Sequence, residues 1–453
     1  MPLFIPRPGL WLRNGIKILV RLCPENKIKP KESTRGTHPK GDDRRGQRRP
    51  VEIVLILAFS LVFMLLSCSG CWDKTEIEDL AILTAWGVDR EENGDILASA
   101  VIVKPFAVAG KTGEGSAPPE RPFWLASSSG RNMLEAMCNF AAFSPRFIFC
   151  AHSRFVIFGE ETARQGVEKI LDFFERNREP RLTANLLVVK DMTAAEFLKS
   201  EFEMVPLPPE GGLGLIQNAT RRLGTVVNVN LNDFLIALGS EGIEPVAGCF
   251  EVIPKRPVPL EGELERKEII QSPVINGAAA FKDDRLVGWL NRTETRGLQW
   301  IRGKVENTPL LVENPMAPPA LIGVEVIRAN SAVTPSMVKG KPHVQIKIEL
   351  EGNIEDAQGF FDPKTDPAVL KNIEKRMAAV IEKESEAVLH RCQQELNTDI
   401  FGFGATFHRS LPQTWDRLRG NWDTEFPRLE VSLDIKTHIR LSGLAIESIK
   451  KIK

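Results

Sequence analysis

Tyrosine is absent from all 453 residues, and histidine occurs only six times. The first absence removes every mechanism that needs a phenol as acid, nucleophile or phosphate acceptor. The histidines are His38, His152, His343, His390, His408 and His438, and no two stand at metal-ligand spacing such as HExxH. GxSxG and Walker motifs are missing, as is any basic-aromatic array that would grip nucleic acid. Gly211-Gly212-x-Gly214 has no following Lys-Ser/Thr and no preceding strand, so it reads as a linker within Pro206–Leu215. Cys138, Cys150, Cys249 and Cys392 fit no zinc pattern. A Cys138–Cys150 disulfide is left open, because sequence separation does not give distance in space. No catalytic residue, metal ligand or cofactor site can be named, and an enzyme is not expected.

Net charge is also missing, but only as a sum. Residues 1–71 carry thirteen basic and five acidic side chains, a net of +8, and residues 72–453 carry forty-six and fifty-four, a net of −8. With 43% apolar and 26% charged residues, the whole chain has ordinary globular composition and length for several domains.

The longest apolar run, IVLILAFSLVFMLL from Ile53 to Leu66, is fourteen residues broken only by Ser60. As a helix it spans roughly 21 Å, short of a ~30 Å hydrocarbon core. Arg44, Arg45, Arg48 and Arg49 precede it and Ser67-Cys68-Ser69-Gly70-Cys71 follows. A basic flank, a short apolar run and small residues describe a secretory signal over residues 51–70. A cysteine directly after that cluster suits lipoprotein processing, in which the thiolate takes a diacylglyceryl group and the Gly70–Cys71 bond is cut. Cys68 occupies the position where Leu is usual, and Leu65-Leu66-Ser67-Cys68 offers a second reading. Residues 1–50 read as an extension produced by a start codon assigned too far upstream, the alternative being a basic cytoplasmic tail drawn to anionic lipid.

Beyond Cys71, short strand-like runs alternate with amphipathic helices. Ala81–Val88 and Ile96–Val103 flank Glu91-Glu92-Asn93-Gly94, a hairpin signal. Ser127–Ser129 are read as caps of a helix through Met133 and Met137, Phe155–Phe158 as a strand, Glu161–Arg176 as one helix, and Ala184–Val189 as a strand. A helix capped near Asn230, a strand at Val246–Ile253 and strands Gly277–Phe281 and Leu286–Leu290 around Asp283-Asp284 follow, the two aspartates being read as solvated turn residues. Val344, Ile346, Ile348 and Leu350 alternate as a half-buried strand. From Asp366-Pro367 a long helix carries one stripe through Val369, Ile373, Met377, Ile381, Val388 and Cys392, and Leu429–Ile435 forms a last strand. The expectation is α+β / α/β, with three domains that each hold a sheet and helices: 71–205, 206–306 and 307–453.

Gly70-Cys71-Trp72-Asp73-Lys74-Thr75-Glu76-Ile77-Glu78-Asp79-Leu80-Ala81, continuing into Trp86-Gly87-Val88-Asp89, resembles the mature N-terminus of the spore germination C-subunit lipoproteins, the Ger(x)C family. The likeness continues through His152–Glu160, Arg178-Glu179-Pro180-Arg181, GAAAFKDDRLVGWLNRTETRGLQW (Gly277–Trp300) and DIFGFGATFHRSLPQTWDRLRGNWDTEF (Asp399–Phe426). The resemblance implies lipidation at Cys71, three α/β-type domains, and a place on the outer face of the spore inner membrane. It further implies two integral membrane germinant-receptor subunits as partners, one of them transporter-like, with a non-catalytic role in the response to nutrients. The other reading is a lipid-anchored extracytoplasmic protein that binds a small molecule itself. Trp289, Trp300, Trp415 and Trp422 are expected in cores or between domains.

Overall fold

A computed structural model describes residues 53–61, 76–105, 121–200, 202, 205, 207–255, 270–359 and 368–441. The chain divides into two units, Met1–Lys74 and Thr75–Lys453. In the first, residues 53–61 are helical, and Ile53, Leu55, Ile56 and Phe59 are all exposed. The expected lipidation and cleavage positions, Cys71 and Gly70, lie outside the described residues, as do Cys68 and Asp366-Pro367.

The second unit is built on two sheets among the described residues. The larger contains β1 (Leu80–Arg90), β2 (Ile96–Val103), β3 (Phe123–Gly130), β4 (Phe147–Phe149), β5 (Phe155–Gly159), β6 (Asn185–Val189), β7 (Val246–Lys255), β8 (Ile270–Lys282) and β9 (Arg285–Leu290). Its order is β3-β2-β1-β5-β6-β7-β8-β9, with β4 alongside the start of β1. The centre, from β1 through β7, is parallel and the flanks are antiparallel. That arrangement accounts for the sequences FVIFG and NLLVV, because a parallel strand covered on both faces is apolar at nearly every position. Alternation sends Val156, Phe158, Leu186 and Val188 to one core and Phe155, Ile157, Leu187 and Val189 to the other.

The smaller sheet is β10 (Thr308–Glu313), β11 (Leu321–Val338), β12 (Lys341–Ala357) and β13 (Glu430–Leu441), in that order. β11 and β12 form a long hairpin turning at Lys339-Gly340, both at positive φ. β12 and β13 are parallel, so the chain must cross over between them, and the helix Ala368–His390 makes most of that crossing. Its buried stripe is Val369, Ile373, Met377, Ile381 and Val388, and a π turn at Arg391–Leu396 buries Cys392.

The mixed α/β class holds, but two sheets carry it where one in each of three domains was expected. The boundary expected at 206 falls inside the larger sheet, where Leu187–Val189 of β6 pair in parallel with Gly248–Phe250 of β7. Local readings also change. Pro206–Leu215 is not a linker, because Pro208–Arg222 is a helix whose first positions are the two prolines that need no N–H partner. Its glycines allow close approach: a side chain at Gly211 would overlap the Phe202 ring, and Gly212 faces Phe155 and Phe250. Ser127–Ser129 belong to β3, and Ser127 meets Ser99 across the strands at 2.8 Å. The helix Met133–Asn139 is capped instead by Asn132, whose side chain accepts the Glu135 N–H at 2.9 Å. The single helix expected over Glu161–Arg176 is two, Glu160–Gln165 and Glu168–Arg176, broken at Gly166 with φ 113°. Asp284 is no idle turn residue, since its carboxylate accepts the Glu168 N–H at 3.1 Å and so caps the second of these helices.

Candidate functional site

A cleft of about 530 Å³ opens at the N-terminal ends of β5 and β6 and is lined by Thr84, His152, Arg154, Arg181, Asn185 and Glu210, among others. Two turns build it. In the first, the Ser153 N–H reaches the Cys150 carbonyl at 3.0 Å and the Arg154 N–H reaches the Thr84 carbonyl at 2.8 Å, which fixes residues 150–154 against β1. In the second, Asn185 returns to the Arg154 carbonyl through its N–H at 2.8 Å. The Ala184 N–H donates to the Arg181 carbonyl at 3.1 Å, so the backbone is held at both arginines that line the cleft.

Behind these turns the Cys150 thiol is buried and donates to the Glu179 carboxylate at 3.2 Å. Burial, reinforced by that carboxylate, pushes the thiol up to about 12 and makes it inert as a nucleophile. Cys138 is exposed and also free, so the two cysteines left open as a disulfide are unpaired. His152 is exposed and lies 5.5 Å from the Phe149 ring. Among the described residues neither Arg154 nor Arg181 has an ion-pair partner. Two guanidinium groups with an imidazole can take up a small carboxylate, and Glu210, which also lines the cleft, can take up an ammonium group. Ligands of parallel sheets usually sit at the opposite, C-terminal strand ends. Among the described residues no group of three or more His, Cys, Asp and Glu is placed to hold a metal ion.

The remaining sequence blocks singled out above are structural. Trp86 is fully buried, a Cβ on Gly87 would come within 2.8 Å of Leu198, and Asp89 accepts the N–H groups of Ala194 and Ala195 at 2.8 and 2.9 Å. Burial raises the Asp89 carboxyl pKa, with those two bonds opposing it. Gly277–Trp300 and Asp399–Phe426 join the two sheets. Asp399 accepts from the N–H groups of Gly402, Phe403 and Gly404 and from Trp422 Nε1, all between 2.9 and 3.1 Å. Burial nevertheless pushes its carboxyl up to about 6. Beside it the Glu244 N–H donates to the Asp399 carbonyl at 2.9 Å, and a Cβ on Gly404 would stand 2.6 Å from Gly242 Cα. Trp300, Trp415 and Trp422 are buried there as expected, while half-buried Trp289 donates to Glu160 at 3.2 Å. Arg154 and Arg181 were missed as a pair because 27 residues of sequence hide that both precede neighbouring parallel strands.

Fold and site together define a two-sheet mixed α/β protein in which two of the sequence blocks, Gly277–Trp300 and Asp399–Phe426, join one sheet to the other. Comparison with known proteins gives the family. The model described as "Spore germination protein N-terminal domain" matches residues 73–252, and that described as "Spore germination B3/ GerAC like, C-terminal" matches residues 276–443. The chain belongs to this family, the germinant-receptor C subunits. It is 29% identical to Spore germination protein KC of Bacillus subtilis over 87% of this chain and 97% of that protein. It is 22% identical to Spore germination protein B3 of the same organism over 84% and 96%. A solved structure titled "Crystal Structure of the GerBC protein" aligns with TM-score 0.47 and 18% identity over 78% of this chain and 96% of that one.

Proposed function

We propose that this chain is a non-catalytic, lipid-anchored subunit of a spore germinant receptor, needed for the response to nutrient germinants. In this reading it sits on the outer face of the spore inner membrane, beside two integral membrane subunits, one of them transporter-like. The observation that carries the proposal is the pair of family matches, which together run from residue 73 to 443 and begin two residues after Cys71. Among the described residues no helix is long and apolar enough to cross a membrane. Attachment is assigned to acyl chains on Cys71, each buried methylene contributing about 0.8 kcal/mol. An anchor of this kind raises the effective concentration of the chain toward membrane partners, so weak contacts suffice. Cys71→Ala should release the protein to the soluble fraction and weaken germination. Full germination with soluble protein would overturn the proposal.

The cleft at Arg154 and Arg181 favours a second reading, a lipid-anchored extracytoplasmic protein that binds a small zwitterion or carboxylate directly. Calorimetry of the full chain with candidate nutrients, beside the Arg154→Glu variant, separates the two. Binding that the variant abolishes supports direct recognition.

A further inference from the structure

The geometry points to a second contact with the bilayer, through an apolar face of the protein body at the strand β4 edge; this inference rests on anchoring at Cys71. Four residues lie between Cys71 and Glu76, where the described body begins, and the five extended chain steps from one to the other span at most about 18 Å. The headgroup layer of one leaflet is itself roughly 5–8 Å deep. A body tethered so closely can bring to the membrane only the surface around Glu76.

That surface carries exposed apolar side chains. Ile77 is 73% exposed, Phe147 59% and Phe143 47%. They are neighbours in the fold: Ile77 lies in the single turn Ile77–Asp79 leading into β1, and Leu80 of β1 pairs in parallel with Phe147 of β4. Phe143 stands edge-on to Trp124 with ring centroids 6.0 Å apart. Next to them is an open groove of about 300 Å³ lined by Leu80, Ile102, Pro105, Trp124, Pro145 and Arg146. Aromatic rings with an apolar body suit the boundary between acyl chains and headgroups. Glu76, Glu78 and Asp79 lie on the same leading turn, and residues 72–453 carry a net charge of −8. The contact therefore depends on apolar insertion, and raising the salt should not weaken it.

The test uses the full, processed chain with Cys138→Ser, which removes the one exposed cysteine among the described residues, and Phe147→Cys carrying an environment-sensitive fluorophore. Ile77→Cys is a second probe position, and Leu311→Cys, exposed on β10 of the other sheet, is the control. The protein is reconstituted into phosphatidylethanolamine–phosphatidylglycerol vesicles with headgroup spin-labelled lipid. At 147 and 77 the label should shift to the blue and be quenched at least about twofold relative to 311, in low and high salt alike. Quenching at 147 and 77 no greater than at 311, in vesicles that retain the protein, overturns the inference. So does a label that is shielded only when other receptor subunits are added, since a protein partner would then cover this face. Failure of the protein to stay with the vesicles overturns anchoring at Cys71 and, with it, this inference.

Discussion

Gly297, on the helix Arg292–Arg302, lies so close to the backbone carbonyl of Glu384, on the helix Ala368–His390, that a Cβ at 297 would overlap that oxygen. The same Cβ would come within 3.0 Å of Val388. Here the helix that follows the larger sheet meets the helix that crosses the smaller one, and glycine sets their separation.

Gly297→Ala should therefore cost about 3 kcal/mol, since the backbone on both sides is helical and only a shift of one helix relieves the overlap. Urea unfolding measures the loss. An unchanged midpoint would mean that the two helices are free to move apart.

Much of the fold was legible in the sequence where one physical rule governed a segment. Alternation fixed β12, the apolar stripe fixed the long helix, and Asn230 caps its helix as read, accepting the Asp233 N–H at 2.8 Å. The readings that changed were those in which a distant residue decides a local matter. The helix Pro208–Arg222 packs through its glycines, Gly211 against Phe202 and Gly212 against Phe155, the latter more than fifty residues away in sequence. The break at Gly166 is completed by Asp284, more than a hundred residues away. The cleft arginines were hidden for the same reason, as parallel pairing of β5 with β6 brings their turns together. The blocks from Gly277 and from Asp399 were visible as sequence, but their service as an inter-sheet lock depends on contacts that no spacing encodes.

The carboxylate of Glu384, 4% exposed, is held by Arg296 and by Trp300 Nε1 at 2.8 Å. Removing only the cation leaves a buried charge with a single neutral donor, and Arg296→Met should cost about 3–5 kcal/mol. The double variant Arg296→Met/Glu384→Gln should recover most of this, because the amide oxygen still accepts from Trp300 while the charge is gone. Denaturation midpoints of the three proteins check the order; a double variant as weak as the single one would mean that packing by Arg296, and not charge pairing, is what matters.

Glu244 gives the inter-sheet contact a dependence on pH. Burial pushes its carboxyl up to about 7, although it accepts the Asp283 N–H at 2.7 Å. Below the unfolded value near 4.5 both states hold the proton, and stability is greatest with respect to this group. Between 4.5 and 7 the unfolded chain releases the proton while the folded chain keeps it, so stability falls as pH rises. Asp399 acts in the same sense between 3.8 and about 6. Glu244→Gln keeps an acceptor for Asp283 but has no proton to lose. From pH 5 to 7.5 the unmodified protein should therefore lose about 1–2 kcal/mol more than the variant, a figure reduced to allow for the partial exposure of Glu244. Urea midpoints at the two pH values measure the difference. Parallel losses in both proteins would show that water reaches this carboxylate and that the contact between Glu244 and the Asp399 loop is looser than its hydrogen bonds suggest.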